Sequence, residues 1–252
     1  MKKPTPTSST NLDSAQIDAI VNGHHGDVFA VLGLHARPSK TGLLVRAMLP
    51  GASSVEVIAC AGNRKVATLN QIHEAGLFEG DVPRRKNKFA YRLRVAFDDT
   101  VVEFDDAYQF APQLSDDDLY LFCEGTQERL YRWMGAHPRT VAGVEGYQFV
   151  VWAPAASRVS VIADFNSWDG RRHMMRKHPA SGVWEIFVPG INSGCHYKYE
   201  ILDTSGKLLP LKADPFAFAM QHPPETASVT GGGVDYQWQD DSWLAERATP
   251  AP

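Results

Sequence analysis

Residues 42–59 and 146–163 of this 252-residue chain read as one pattern written twice. GLLVRAMLPGASSVEVIA and GYQFVVWAPAASRVSVIA align with Pro50 over Pro154, Val55 over Val159, Val57 over Val161 and Ala59 over Ala163, each pair 104 residues apart. Further on the spacing becomes 106: Gly76, Phe78, Glu79, Val82 and Pro83 fall over Gly182, Trp184, Glu185, Val188 and Pro189, and Tyr91 falls over Tyr197. Asp106 and Tyr108 then meet Asp214 and Phe216 at a spacing of 108. Small drifts of this kind are what loop insertions leave between two copies of one unit. The repeat restricts the chain to two similar domains in tandem.

Within each copy the apolar residues alternate with polar ones. LLVRAMLP, SSVEVIA, KVATLNQI, LFEGDVP, FAYRLRVAF and VVEFDDA are runs of six to nine residues broken by Gly, Pro, Asn and Asp. Such runs predict strands with one buried face, and their number predicts a sandwich. The expected fold class is all-β: two tandem immunoglobulin-like β-sandwiches with a short N-terminal helix and a helical linker. Asn11–Gly23 predicts the helix, with Asp13 and Gln16 at capping-box spacing, Ile17, Ile20 and Val21 on one face, and Gly23 as its stop. HGDVFAVLGLH, from His24, reads as a turn or short helix. Ser115–Gly135 predicts helical structure between the sandwiches, with Ser115 as cap, Asp116–Asp118 at the positive end, and a second short helix beginning at Thr126. The expected domains are 1–23 (disordered tail and helix), 24–112 (first sandwich), 113–140 (helical linker), 141–236 (second sandwich) and 237–252.

Charge and composition exclude several classes of function. A net charge of −4, with Lys and Arg scattered, argues against nucleic acid and anionic membranes as partners. The Arg84–Lys88 cluster reads as a solvated hairpin turn. No apolar run is long enough to span a bilayer, and the first ten residues lack the hydrophobic core of a signal peptide. Cys60, Cys123 and Cys195 have no zinc-ligand spacing; Cys60 and Cys195 are expected as reduced, buried thiols of a cytoplasmic protein. His24–His25 has no acidic or thiol partner at ligand spacing, and Asp116–Asp118 lacks the alternation of a calcium loop. The expectation is no metal and no cofactor.

The copies differ most where the first has Ala61–Arg64 and the second has Asp164–Gly170, DFNSWDG. Trp168 sits there in a polar, turn-rich loop, and its π-face suits stacking on the C–H face of a sugar ring. Lys198 lies in HYKYEI, where His196, Lys198 and Glu200 alternate with Tyr197, Tyr199 and Ile201. On one face, Trp168 and Lys198 would form a polar–aromatic platform. The other reading is a Trp168 that anchors the loop and a solvated Lys198. Trp152 and Trp184, inside alternating strands, are expected in the core.

In the second copy, WAP (152–154), V-x-V (159–161), D-F-N-x-W (164–168), G-x-W-E (182–185), Y-K-Y-E (197–200) and K-A-D-P (212–215) together resemble a family forty-eight carbohydrate-binding module. From about His24 to Trp243, the chain resembles the N-terminal region of the bacterial 1,4-α-glucan (glycogen) branching enzymes. That resemblance implies α-glucan as partner, with Trp168, Lys198 and Asn166 as binding residues and Leu208 where some relatives carry a second aromatic platform. It also implies a (β/α)₈ barrel as catalytic partner, whose Asp and Glu cleave and transfer α-1,4 chains. Retaining chemistry needs both carboxylates on one scaffold, and a barrel takes roughly 250 residues of its own. No catalytic residue is therefore assigned here, residues 237–252 are expected as a truncated lead-in to the barrel, and AERATPAP as disordered linker. The alternatives are a free-standing glycogen-binding protein and a ligand-free structural tandem.

Overall fold

The computed structural model describes residues 10–37, 42–83, 85–232 and 238–247. Most of the Met1–Thr10 tail, Arg84 and the end of the AERATPAP stretch lie outside the described residues. Helix α1 (Ser14–Val21) opens the chain, with Asp13 and Gln16 forming the capping box. The strands β1 (Gly33–Ala36), β2 (Leu43–Met48), β3 (Ser54–Ala59), β4 (Arg64–His73), β5 (Leu77–Val82), β6 (Tyr91–Phe97) and β7 (Thr100–Asp105) follow. They run β1-β2-β5-β4-β3-β6-β7, every pair antiparallel. The long β4 pairs with β3 through its first half and β5 through its second, with a bulge on each side. It therefore passes from one layer to the other, and Val45, Ala47 and Phe78 of one layer pack on Val55, Val57, Leu93 and Val95 of the other.

Helix α2 (Asp116–Glu124) leads to the second copy. Strands β8 (Gly135–Val141), β9 (Val144–Trp152), β10 (Ala156–Ala163), β11 (Arg176–His178), β12 (Val183–Pro189), β13 (His196–Asp203), β14 (Ala219–Met220) and β15 (Ser228–Val229) form two sheets, β11-β12-β9-β8 and β10-β13-β15-β14. Phe149, Trp184 and Ile186 of one sheet meet Val159, Val161, Tyr197 and Tyr199 of the other. Each fully buried side chain of this size contributes about 1.5–3 kcal/mol. The fold is all-β, two tandem immunoglobulin-like sandwiches. Helix α3 (Asp241–Arg247) follows, so part of the stretch expected as disordered linker is helical. Among the described residues no helix is long and apolar enough to cross a membrane.

The repeat is visible atom by atom. The Tyr91 hydroxyl donates to Asp106, and the Tyr197 hydroxyl donates to Asp214 at 2.6 Å. Each aspartate also accepts the backbone N–H two residues on, from Tyr108 or Phe216. Gly76 and Gly182, both at positive φ, lie so close to Pro50 and Pro154 that an added Cβ would sit 2.7 Å from a proline Cα. Glu79 accepts from Thr10 ahead of α1, and Glu185 accepts from Gln113 and Leu114 ahead of α2.

That last pair corrects the expected organisation. The caps Asp13 and Ser115, the helices α1 and α2, the stops Gly23 and Gly125, and the Gly-x-His openings of β1 and β8 all stand 102 residues apart. His35 and His137 each hold the carbonyl three residues back, at 2.8 Å. The stretch expected as a linker thus contains the helical head of the second copy and its first strand. Instead of a second α-helix from Thr126 there is a single 3₁₀ turn at Leu130–Arg132. Each helix packs on the outer face of its own sandwich, α1 over Met48 and Leu77, α2 over Val150 and Val183.

Three further expectations are corrected. Trp184 is core, but Trp152 is 56% exposed: it belongs to the outer face of β9, where Phe122 of α2 meets its ring edge-on at a centroid distance of 6.1 Å. Cys60 is exposed in the turn after β3, and Cys195 is half-buried just before β13. Among the described residues, no group of three metal-ligating side chains occurs.

Candidate functional site

The DFNSWDG loop leaves β10 at Ala163 and makes a 3₁₀ turn over Asp164–Asn166. Ser167 and Trp168 then both take left-handed backbone, φ +58° and +57°. Two consecutive non-glycine residues in that region persist only where the surroundings over-determine them, and here they do. Asn166 is 1% exposed. Its Oδ1 accepts from the Ala163 N–H at 2.9 Å, and its Nδ2 donates to the Val161 carbonyl at 2.8 Å and meets His173 Nδ1 at 2.9 Å. The amide is committed inside the loop, so Asn166 shapes the site from below. Burial, aided by the neighbouring Arg172 charge, lowers the His173 pKa to about 4, which keeps Nδ1 an acceptor.

Trp168 stands above this staple, 37% exposed. Its Nε1–H donates to Asp164 Oδ1 at 3.1 Å, while Asp164 Oδ2 accepts the His196 N–H at 3.3 Å. Both readings of Trp168 thus have a counterpart: the ring edge is anchored and the residue remains exposed. In β13, His196, Lys198 and Glu200 point to the outer face while Tyr197 and Tyr199 are buried. His196 touches the loop through Asp164, and Glu200 lies against Gly170, where an added Cβ would sit 2.1 Å from its carboxylate. Lys198 lies between them in β13, its Nζ donating to Thr226 Oγ1 at 2.8 Å.

Beside Trp168 opens a cleft of about 480 Å³. Leu208 lines it; Lys198 does not. Its charged residues are paired within the site. Arg158 meets Glu200, and Arg171 grips Asp169 with two bonds of 2.9 and 2.7 Å. The arginine holds the Asp169 carboxyl below the usual carboxylate range, against the opposing effect of burial. An aromatic face, an aliphatic side chain and internally neutralised donors and acceptors suit a neutral, polyhydroxylated ligand. Sequence reasoning missed the Arg158–Glu200 pair. The β10–β13 register puts Glu200 beside Ser160, and that pairing cannot be read from either strand alone.

Two family models match the chain. Residues 13–108 match the family model of the alpha-1,4-glucan branching enzyme GlgB N-terminal domain, and residues 133–217 match carbohydrate-binding module 48, the isoamylase N-terminal domain. The chain is 48% identical over 238 residues to the 1,4-alpha-glucan branching enzyme GlgB of Roseobacter denitrificans, covering 94% of this chain and 32% of that protein. Against the GlgB of Rhodospirillum rubrum the identity is 47%, covering 93% and 32%. The chain spans about a third of the length of these curated relatives. A crystal structure of an Anoxybacillus pullulanase complexed with maltotetraose matches at 16% identity with a TM-score of 0.34, covering 88% of this chain and 28% of the other.

Proposed function

We propose that this chain is the non-catalytic, α-glucan-binding part of a 1,4-α-glucan branching enzyme, on the premise that its two sandwiches belong, in order, to that enzyme's N-terminal domain family and to carbohydrate-binding module 48. The observation that carries the reading is the exposed Trp168, held by an over-determined loop beside a charge-neutral cleft. In this reading the indole face stacks on a glucose ring and Lys198 donates to a hydroxyl of the same chain. Asn166 keeps the loop in the shape that presents Trp168. Cleavage of α-1,4 bonds and formation of α-1,6 branches in cytoplasmic glycogen synthesis are assigned to a catalytic barrel that is not among these 252 residues. The apolar stretch around Phe216, Phe218 and Met220, exposed here, is the surface proposed to face it.

Native electrophoresis through gels containing glycogen tests the binding. The chain is expected to be retarded, and Trp168→Ala to weaken retention about tenfold or more, the cost of removing an aromatic anchor, with the thermal midpoint unchanged. Equal mobility of the wild type with and without glycogen would sink the proposal.

A further inference from the structure

We propose that the first sandwich copy is a working part of the glucan cleft, supplying one wall through Asn22 and His24 and clamping the loop that carries Trp168. The inference rests on the glucan-binding reading of this same cleft and extends it to a domain that no comparison assigns a ligand.

The wall is the turn that ends α1. Asn22 and His24 line the cleft together with Trp168 and Leu208, so residues of both copies share one concave surface. Gly23 brings that turn against the module: an added Cβ would stand 2.9 Å from Arg158 Nη1. His24 leans on the hairpin after β13, with Nδ1 3.4 Å from the Cβ position of Gly206. The Asn22 amide N–H donates to the Asp18 carbonyl at 2.9 Å, which leaves its Oδ1 open among the described residues. An amide oxygen and an imidazole are the donor and acceptor types that sugar hydroxyls require. The His24 ring is exposed and lines the cleft, and it is assigned to ligand contact.

The clamp is a separate observation. The Tyr108 hydroxyl of the first copy accepts the Met174 N–H at 3.0 Å and donates to the Arg172 carbonyl at 3.4 Å. Arg172 Nη2 returns a bond of 2.7 Å to the Pro50 carbonyl, and the Arg176 guanidinium lies 4.0 Å over the Phe29 ring. The first copy therefore fixes the segment that runs from the Trp168 loop into β11. A cleft of about 480 Å³ with two such walls has room for more than one sugar unit, so on the glucan-binding reading the ligand is an α-glucan oligosaccharide and not a monosaccharide.

Isothermal titration of the full chain with maltoheptaose separates this inference from the reading beneath it. Asn22 and His24 are exposed, so the double variant Asn22→Ala/His24→Ala should fold normally and bind about tenfold more weakly, the loss expected for one or two hydrogen bonds. The His24 ring proton resonances should shift on titration of the wild type and stay fixed in Trp168→Ala. Wild-type affinity in the double variant, alongside lost binding in Trp168→Ala, would overturn the wall and leave glucan binding standing. Absence of binding by the wild type would remove both.

Discussion

At the scale of single residues, His173 and Asp106 respond to pH in opposite senses. His173 is neutral when folded because burial lowers its pKa from 6.5 to about 4. The unfolded chain therefore binds more protons between those values, so stability is full above pH 6.5 and falls as pH drops through the window, by on the order of 3 kcal/mol. Asp106 has its pKa raised from 3.8 to about 6 by burial, against the pull of its Tyr91 and Tyr108 hydrogen bonds. Its contribution is present below pH 3.8 and is lost as pH rises toward 6. Only a difference measurement isolates one from the other. Chemical denaturation of wild type and His173→Gln at steps from pH 4 to 7 should show the variant lacking the wild type's rise in stability over that range. Parallel curves would mean that His173 is charged in the fold. Trp168, by contrast, is anchored at its ring edge and 37% exposed, outside the core.

At the scale of elements, the tight joint between Gly182 and Pro154 sets how the second sandwich turns from β9 into β10. Gly182 combines φ +70° with contact on Pro154, whereas Gly190, at φ +71°, has open space around its Cβ position. Gly190→Ala should cost about 1 kcal/mol, the left-handed penalty alone, and Gly182→Ala about 2 kcal/mol more, because proline backbone must move. Equal melting temperatures for the two variants would show that the joint relaxes freely. The same elements mark how far the sequence could be read. Strands β2 to β7 lie within a residue or two of the alternating runs, although the single buried face is clearest in β6, while β2 is buried throughout and β7 has no buried residue. The four-residue β1 and the longer β8 begin with Gly-x-His and show too little alternation to signal a strand. Helix α2 has no fully buried residue and an acidic first turn, so it reads as solvated and its kinship with α1 disappears. The loop of the site was legible in its residue types. The cleft was not, since its walls come from β10, β13 and α1, which only strand pairing and domain packing bring together.

At the scale of the whole molecule, the two sandwiches share a core. Ile20, Val28 and Leu32 of the first copy pack with Tyr108 and with Met174 of the second. Denaturation followed by tryptophan fluorescence and by far-UV circular dichroism should therefore give one coincident transition, not two. Tyr108→Phe, which leaves the Met174 N–H without its acceptor, should lower the midpoint by an amount equivalent to about 1–3 kcal/mol. Two separated transitions in the wild type would show the copies to be energetically independent. The surface that the first copy covers in this way stays open on the second: Met48 is 2% exposed and its counterpart Trp152 56%, Tyr108 9% and its counterpart Phe216 37%. The spacing between the copies reads as their ancestry. It is 102 residues through the helical heads, 104 through β2 and β3, 106 through β5 and β6, and 108 at the buried aspartate–aromatic turn. Every step adds two residues to the second copy relative to the first. Two is the period of a strand, and such increments leave each inward side chain facing inward. The descendants of a single duplicated unit could thus lengthen their turns, one acquiring a tryptophan loop, without either losing its core.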